Sequence, residues 1–117
     1  MRLGDVRFTP CRGLLLAELT GEVDLSNAER ISDAIAETAS NQELGLILDL
    51  SGLHYLDSAG IHLLFRLGEQ LRARGQTLAL VMPAGSPSSD AIRLAGVTLH
   101  VDRFESMEDA LRAAPAA

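Results

Sequence analysis

Leu44-Gly45-Leu46-Ile47-Leu48-Asp49-Leu50 carries apolar side chains at successive positions rather than alternate ones. A strand of that kind is buried on both faces, which is the situation in the middle of a parallel sheet with helices packed on it. The stretch is therefore expected mid-sheet, and its flanks must supply the neighbouring strands and covering helices.

Downstream, Ser51 to Asp57 reads as a loop, after which Ile61, Leu64, Phe65, Gly68 and Leu71 recur at helical spacing and Gly75 stands where a left-handed stop belongs. Upstream, Ser26-Asn27-Ala28-Glu29 spells a capping box, in which the Ser26 hydroxyl and the Glu29 carboxylate each satisfy a free amide. The helix it opens has Ala28, Ile31, Ile35 and Thr38 on one side and ends at Asn41 to Glu43. Leu14 to Leu19, between Gly13 and Gly21, and Leu3 to Thr9, cut off by Pro10, read as two strands joined by a turn. Towards the other end, Thr77 to Met82 is a buried-type strand stopped by Pro83, and Ser88 to Ala95 a short helix closed by Gly96. A last strand is expected at Val97 to Val101, then a helix capped by Ser106 with Met107, Ala110, Leu111 and Ala114 on one face. The tail Pro115 to Ala117 is expected to fray.

Strands alternating with helices demand right-handed crossovers, so the fold class is α/β. The expectation is a single domain over residues 1–117, core about 3–113, with a mostly parallel sheet of four to five strands and an edge strand or hairpin at the N-terminus. No internal repeat or linker interrupts it.

With 117 residues, 47% hydrophobic, the chain is long enough to bury a core without disulfides or a structural metal. Sixteen acidic against ten basic residues give a net charge of −6, which argues against direct nucleic-acid or anionic-membrane binding. Every basic residue is Arg. Schiff-base chemistry, a phosphate-loop lysine and the lysine of aspartate-phosphorylated receiver domains are thereby removed. Cys11 is alone, which excludes an internal disulfide and paired-cysteine metal sites. The opening residues carry scattered charge without a signal-peptide run, and no apolar stretch approaches the ~20 residues of a membrane span, so the expected location is cytoplasmic.

In open α/β sheets, ligands and partners gather where the chain leaves the carboxyl ends of the strands. Gly21 to Ser26 and Ser51 to Ser58 are the two loops expected there, bringing Asp24, Asp57 and Ser58 close together. Asp57 or Ser58 would cap the following helix, but one cap needs only one of them. The other readings of these residues are weaker. A hydrolase elbow has Gly two residues before and after its serine; Gly60 fits but Leu56 does not, although His54, His62 and His100 could supply a base. Asp24, Asp49 and Asp57 could form a magnesium-binding cluster, but Asp49 falls inside a strand. Glu22, Asp24 and Glu29 read equally as an acidic recognition patch or as a solvated helix entry, and Arg66, Arg72 and Arg74 as a solvated helix face.

Gly21-Glu22-Val23-Asp24, Leu46-Ile47-Leu48-Asp49-Leu50-Ser51, Leu56-Asp57-Ser58-Ala59-Gly60-Ile61 and Phe104-Glu105-Ser106-Met107-Glu108-Asp109-Ala110, in that order, resemble the STAS domain of bacterial anti-sigma factor antagonists. The resemblance spans nearly the whole chain, and Asp57 to Gly60 is its most specific block. It implies a non-catalytic partner switch without cofactor or metal: the unmodified form binds an anti-sigma factor that is also a serine kinase and so frees the sigma factor. Phosphorylation of the acceptor, by motif match Ser58, ends binding, and a serine phosphatase reverses the mark. It also carries over Asp24, Asp57, Ala59, Gly60 and Ile61, with Ser58, as partner-binding residues. STAS domains serve as well in lipid-transport and stress-sensing complexes, where the same surface would hold a permanent partner. The alternative of another class is a small serine hydrolase using Ser58.

Overall fold

Gly45, Leu46, Ile47 and Leu48 are buried one after another, and the strand that contains them lies at the centre of the sheet. The computed structural model describes residues 4–95 and 101–114. Along them run β1 (Asp5–Cys11), β2 (Leu14–Val23), α1 (Ala28–Ala39), β3 (Gly45–Leu56), α2 (Ser58–Ala73), β4 (Thr77–Val81), α3 (Pro87–Ala95), β5 (Asp102–Phe104) and α4 (Met107–Ala113). The five strands form one sheet in the order β1-β2-β3-β4-β5. β1 is antiparallel to β2, and all later pairings are parallel. The first hairpin turns on Arg12 and Gly13, both with positive φ, the backbone of a two-residue turn that matches strand twist.

The two faces of the sheet are covered unequally. On one, Leu15, Ala17 and Leu19 of β2, Leu46, Leu48, Leu50 and Leu53 of β3 and Leu78 and Leu80 of β4 pack against α1, α2 and α3 in the main core. On the other, Leu14, Ile47 and Val81 meet Ala110, Met107 and Leu111 of α4. Ser106 caps α4 as its sequence implies, its Oγ accepting the Asp109 amide at 3.1 Å.

Several boundaries differ from the sequence reading. The expected loop from Ser51 to Asp57 is strand as far as Leu56, because β2 also runs on, to Val23, and holds it: Gly21 pairs with Leu53 and Val23 with Leu56. Both leucines are buried, so the extension is fastened by packing as well as by its ladder. Pro10 does not end β1 but sits within it, opposite Leu15, which an edge strand tolerates because one rim of its ladder has no partner to miss. The last described strand is Asp102–Phe104; the strand expected at Val97 to Val101 falls, apart from Val101, outside the described residues, as do Gly96 and the tail Pro115 to Ala117. Phe65, expected on the apolar face of α2, is 42% exposed. Leu63, Leu64, Leu67 and Leu71 centre the buried stripe, and Phe65 stands about 120° around the helix from Leu71.

Candidate functional site

The Val23–Leu56 pair closes the β2–β3 ladder, and the Asp57 amide donates to the Val23 carbonyl at 3.3 Å just beyond it. The chain therefore leaves both strands at one level, and the segments carrying Asp24 and Asp57 emerge side by side.

Asp24 organises the first of these exits. Its Oδ1 accepts the Ser26 amide at 2.9 Å and also the Ser26 hydroxyl. Its amide donates to Asn27 Oδ1 at 3.0 Å, while Asn27 Nδ2 donates to the Glu22 carbonyl at 2.9 Å. Asn27 is buried and stands immediately before α1 with no side-chain cap on that helix. The expected Ser26–Glu29 capping box is thus absent: the Ser26 hydroxyl is taken by Asp24, a local turn that competes with capping. Hydrogen bonds from the Ser26 hydroxyl first, and then from the Ser26 amide, favour the charged carboxylate and hold Asp24 below the usual aspartate range.

At the second exit, Asp57 and Ser58 divide the work. Asp57 is the N-cap of α2, its Oδ1 accepting the Gly60 amide at 3.1 Å. Ser58 is the first residue of the helix and is exposed, with its hydroxyl outside the capping interaction. Ala59 is half-buried, whereas Gly60 and Ile61, expected among the contact residues, are buried. Gly60 is there for packing: a Cβ on it would run into Leu56 Cδ1 and lie 3.2 Å from Val23 Cγ1. The closing pair of the ladder thus presses directly on the first turn of α2, fixing where Ser58 stands.

Beside Ser58, α1 and α2 enclose a groove of about 460 Å³. Leu25, Glu29 and Ser32 line it from the α1 side, and Ser58, His62 and Arg66 from α2. Leu25 is 83% exposed, an unusual place for a leucine in so short a turn. In sequence terms Leu25 has no assigned role, His62 is one of three possible bases and Arg66 belongs to a solvated helix face. An apolar residue wedged between Asp24 and Ser26 was the available signal; for His62 and Arg66 it was their spacing of four and eight residues from Ser58.

The remaining candidates are dispersed. Asp49 lies inside β3 beside Glu18 and Val81, its Oδ1 accepting the Ser51 amide and hydroxyl at 2.9 and 2.6 Å, away from Asp24 and Asp57. Among the described residues no three His, Cys, Asp or Glu side chains are grouped to hold a metal ion. Glu22 is half-buried in β2, while Glu29 stands exposed in the first turn of α1. Arg74 reaches the Ala36 carbonyl at 3.4 Å, and Arg72 lines a different depression with Gly68 and Gln76. Cys11 is a free thiol at the end of β1. Among the described residues no helix is long and apolar enough to cross a membrane.

Residues 9–110 match the family model described as STAS domain. The chain is 30% identical over 100 residues to the anti-sigma-F factor antagonist RsfB of Mycobacterium tuberculosis, covering 85% of this chain and 80% of that one. An anti-sigma factor antagonist from Mycobacterium paratuberculosis superposes with a TM-score of 0.78 at 24% identity, covering 96% of this chain and 94% of that one. The Bacillus cell fate determinant SpoIIAA, solved in its phosphorylated form, superposes with a TM-score of 0.65 at 19% identity, covering 92% and 97%.

Proposed function

This chain belongs to the STAS domain family, and on that premise we propose that it is an anti-sigma factor antagonist switched at Ser58. The unmodified protein docks its strand-exit face on an anti-sigma factor that is also a serine kinase, releasing the sigma factor. The contact falls to Asp24, Leu25, Asp57, Ser58 and Ala59, with Gly60 and Ile61 setting their height from beneath. The kinase then transfers the γ-phosphoryl group of ATP to Ser58 Oγ; an O–P bond forms, and ADP and the hydroxyl proton leave. A serine phosphatase hydrolyses the ester and restores binding. The chain itself supplies no catalysis.

The observation that carries this reading is the division of labour at the start of α2: Asp57 does the capping, so the Ser58 hydroxyl is exposed and its esterification removes no bond from the fold. A phosphoryl group adds about −1.5 to −2 charges beside Asp57 on a chain whose net charge is already −6. Placement at a helix N-terminus offsets only ~0.3–1 kcal/mol of that charge. Like charges pressed into an interface cost several kcal/mol, and each ~1.4 kcal/mol is tenfold in affinity, so one phosphate is enough to end binding.

The test pairs this protein with the histidine-kinase-like anti-sigma factor encoded nearest to it. Ser58→Ala should bind as the unsubstituted protein does and take up no phosphate from ATP, while Ser58→Asp should bind at least about tenfold more weakly. Undiminished binding by Ser58→Asp overturns the proposal.

A further inference from the structure

Ser58, His62 and Arg66 follow one another at intervals of four residues along α2, and all three line the groove against α1. Residues four apart on a helix are neighbours on its surface, with Cβ atoms about 5–6 Å apart. Helical side chains also lean towards the N-terminus, so His62 and Arg66 incline towards Ser58 rather than away from it. Arg66 lies about 12 Å along the axis from Ser58, a gap that an extended arginine and an esterified serine divide between them. Both His62 and Arg66 are exposed, and among the described residues Arg66 forms no ion pair: the salt bridges there belong to Arg93 and Arg112. Facing them are Glu29 on α1 and Asp57 at the mouth of α2. A dianion arriving at Ser58 meets those two carboxylates, and only His62 and Arg66 within the groove can balance it.

We propose that His62 and Arg66 hold the phosphoryl group of phosphorylated Ser58 within the groove, so that the modified form carries its own charge clamp. The inference rests on Ser58 being the acceptor, as proposed above, and concerns what the mark does once attached. Arg66 keeps its charge at every accessible pH and presents its fork to the phosphate oxygens, to which His62 donates a ring N–H. A phosphate drawn back along α2 also covers part of the groove that the unmodified protein offers to a partner.

Full-length protein with phosphoserine incorporated at position 58 during translation needs no kinase, so it tests the clamp separately from the switch. Phosphorus NMR across pH 4–9 should place the second phosphate ionisation about half a unit or more below its ordinary value near 6. His62→Gln and Arg66→Gln should each move it back up, Arg66→Lys should retain part of the shift, and Glu29→Gln should lower it further. Coincident midpoints in unsubstituted, His62→Gln and Arg66→Gln proteins overturn the proposal. So does an Arg66→Gln that weakens kinase binding of the unmodified chain without moving the phosphorus midpoint, which assigns Arg66 to the interface. If Ser58→Ala still takes up phosphate, the switch fails while the clamp measurement stands.

Discussion

At the scale of single residues, Asp57 and Ser58 are both chemically able to cap α2, and the structure gives the task to one of them. Asp57→Ala should lower the unfolding free energy by about 1 kcal/mol, read from the urea midpoint, whereas Ser58→Ala should stay within about 0.5 kcal/mol of the parent. Equal losses would mean that both oxygens serve the helix. Asp24 is a carboxylate whose ionised form is favoured in the fold by Ser26. Carbon-detected titration should find its midpoint below that of an unstructured aspartate, and Ser26→Ala should bring it back up. A lowered folded value adds stability above the unfolded value, and that stability is lost as pH falls through the folded one. A midpoint unchanged by Ser26→Ala would detach the serine from the effect. The pairing of Asp57 with Ser58 was legible in the sequence as an ambiguity that two adjacent oxygens cannot resolve. Ser26 has the spelling of a cap, but a hydroxyl two residues after an aspartate has a nearer acceptor than the helix has donors for it. Leu25, His62 and Arg66 each leave a local trace in the sequence, but only the packing of α1 against α2 brings them to one groove.

At the scale of elements, the first turn of α2 depends on an absent side chain. Gly60→Ala should gain helix propensity, about 1 kcal/mol, yet push Leu56 and Val23, and overpacking of a filled site costs typically about 1–3 kcal/mol. A net loss of stability is expected in urea unfolding, with a displaced Ser58 amide resonance in the NMR spectrum; a more stable Gly60→Ala would show that the strand ends yield easily. The element order, the central place of β3, the helical run of α2 and the left-handed Gly75 at φ +74 were all legible, because each is written in local period or backbone chemistry. The strand character of Ser51 to Leu56 was not. Ser51, Gly52 and His54 are poor evidence for a strand until Thr20 to Val23 arrive alongside, and that pairing is non-local. Phe65 is apolar and four residues from Ile61, yet the stripe centred on Leu63 and Leu67 turns it outward.

On the scale of the whole molecule, the two faces of the sheet should differ in robustness. The main core joins β2, β3, β4 and three helices, whereas α4 is a short helix on a small cluster, with Arg112 paired to Glu108 and Asp109 at exposed positions where ion pairs contribute about 0–1 kcal/mol. Native-state hydrogen exchange should find the amides of Leu46 to Leu50 opening only with global unfolding and those of α4 opening earlier; equal protection would refute the hierarchy. The α/β class followed from alternation alone, but how α4 divides the labour between faces needed the three-dimensional register. That register holds one more consequence. From Leu14 to Val23 the second strand takes nine steps while the third, from Gly45 to Leu56, takes eleven, the surplus being absorbed at two irregularities after Glu18 and after Gly21. The surplus is slack, taken up where the third strand bows away from the second. With Gly52 deleted, the first bow can close while Glu18 still pairs with Asp49, Gly21 with Leu53 and Val23 with Leu56, so Asp24 and Asp57 stay level. Natural variation in length should therefore be tolerated at these two points and resisted in the regular ladder from Leu46 to Asp49, where a lost residue has no slack to draw on.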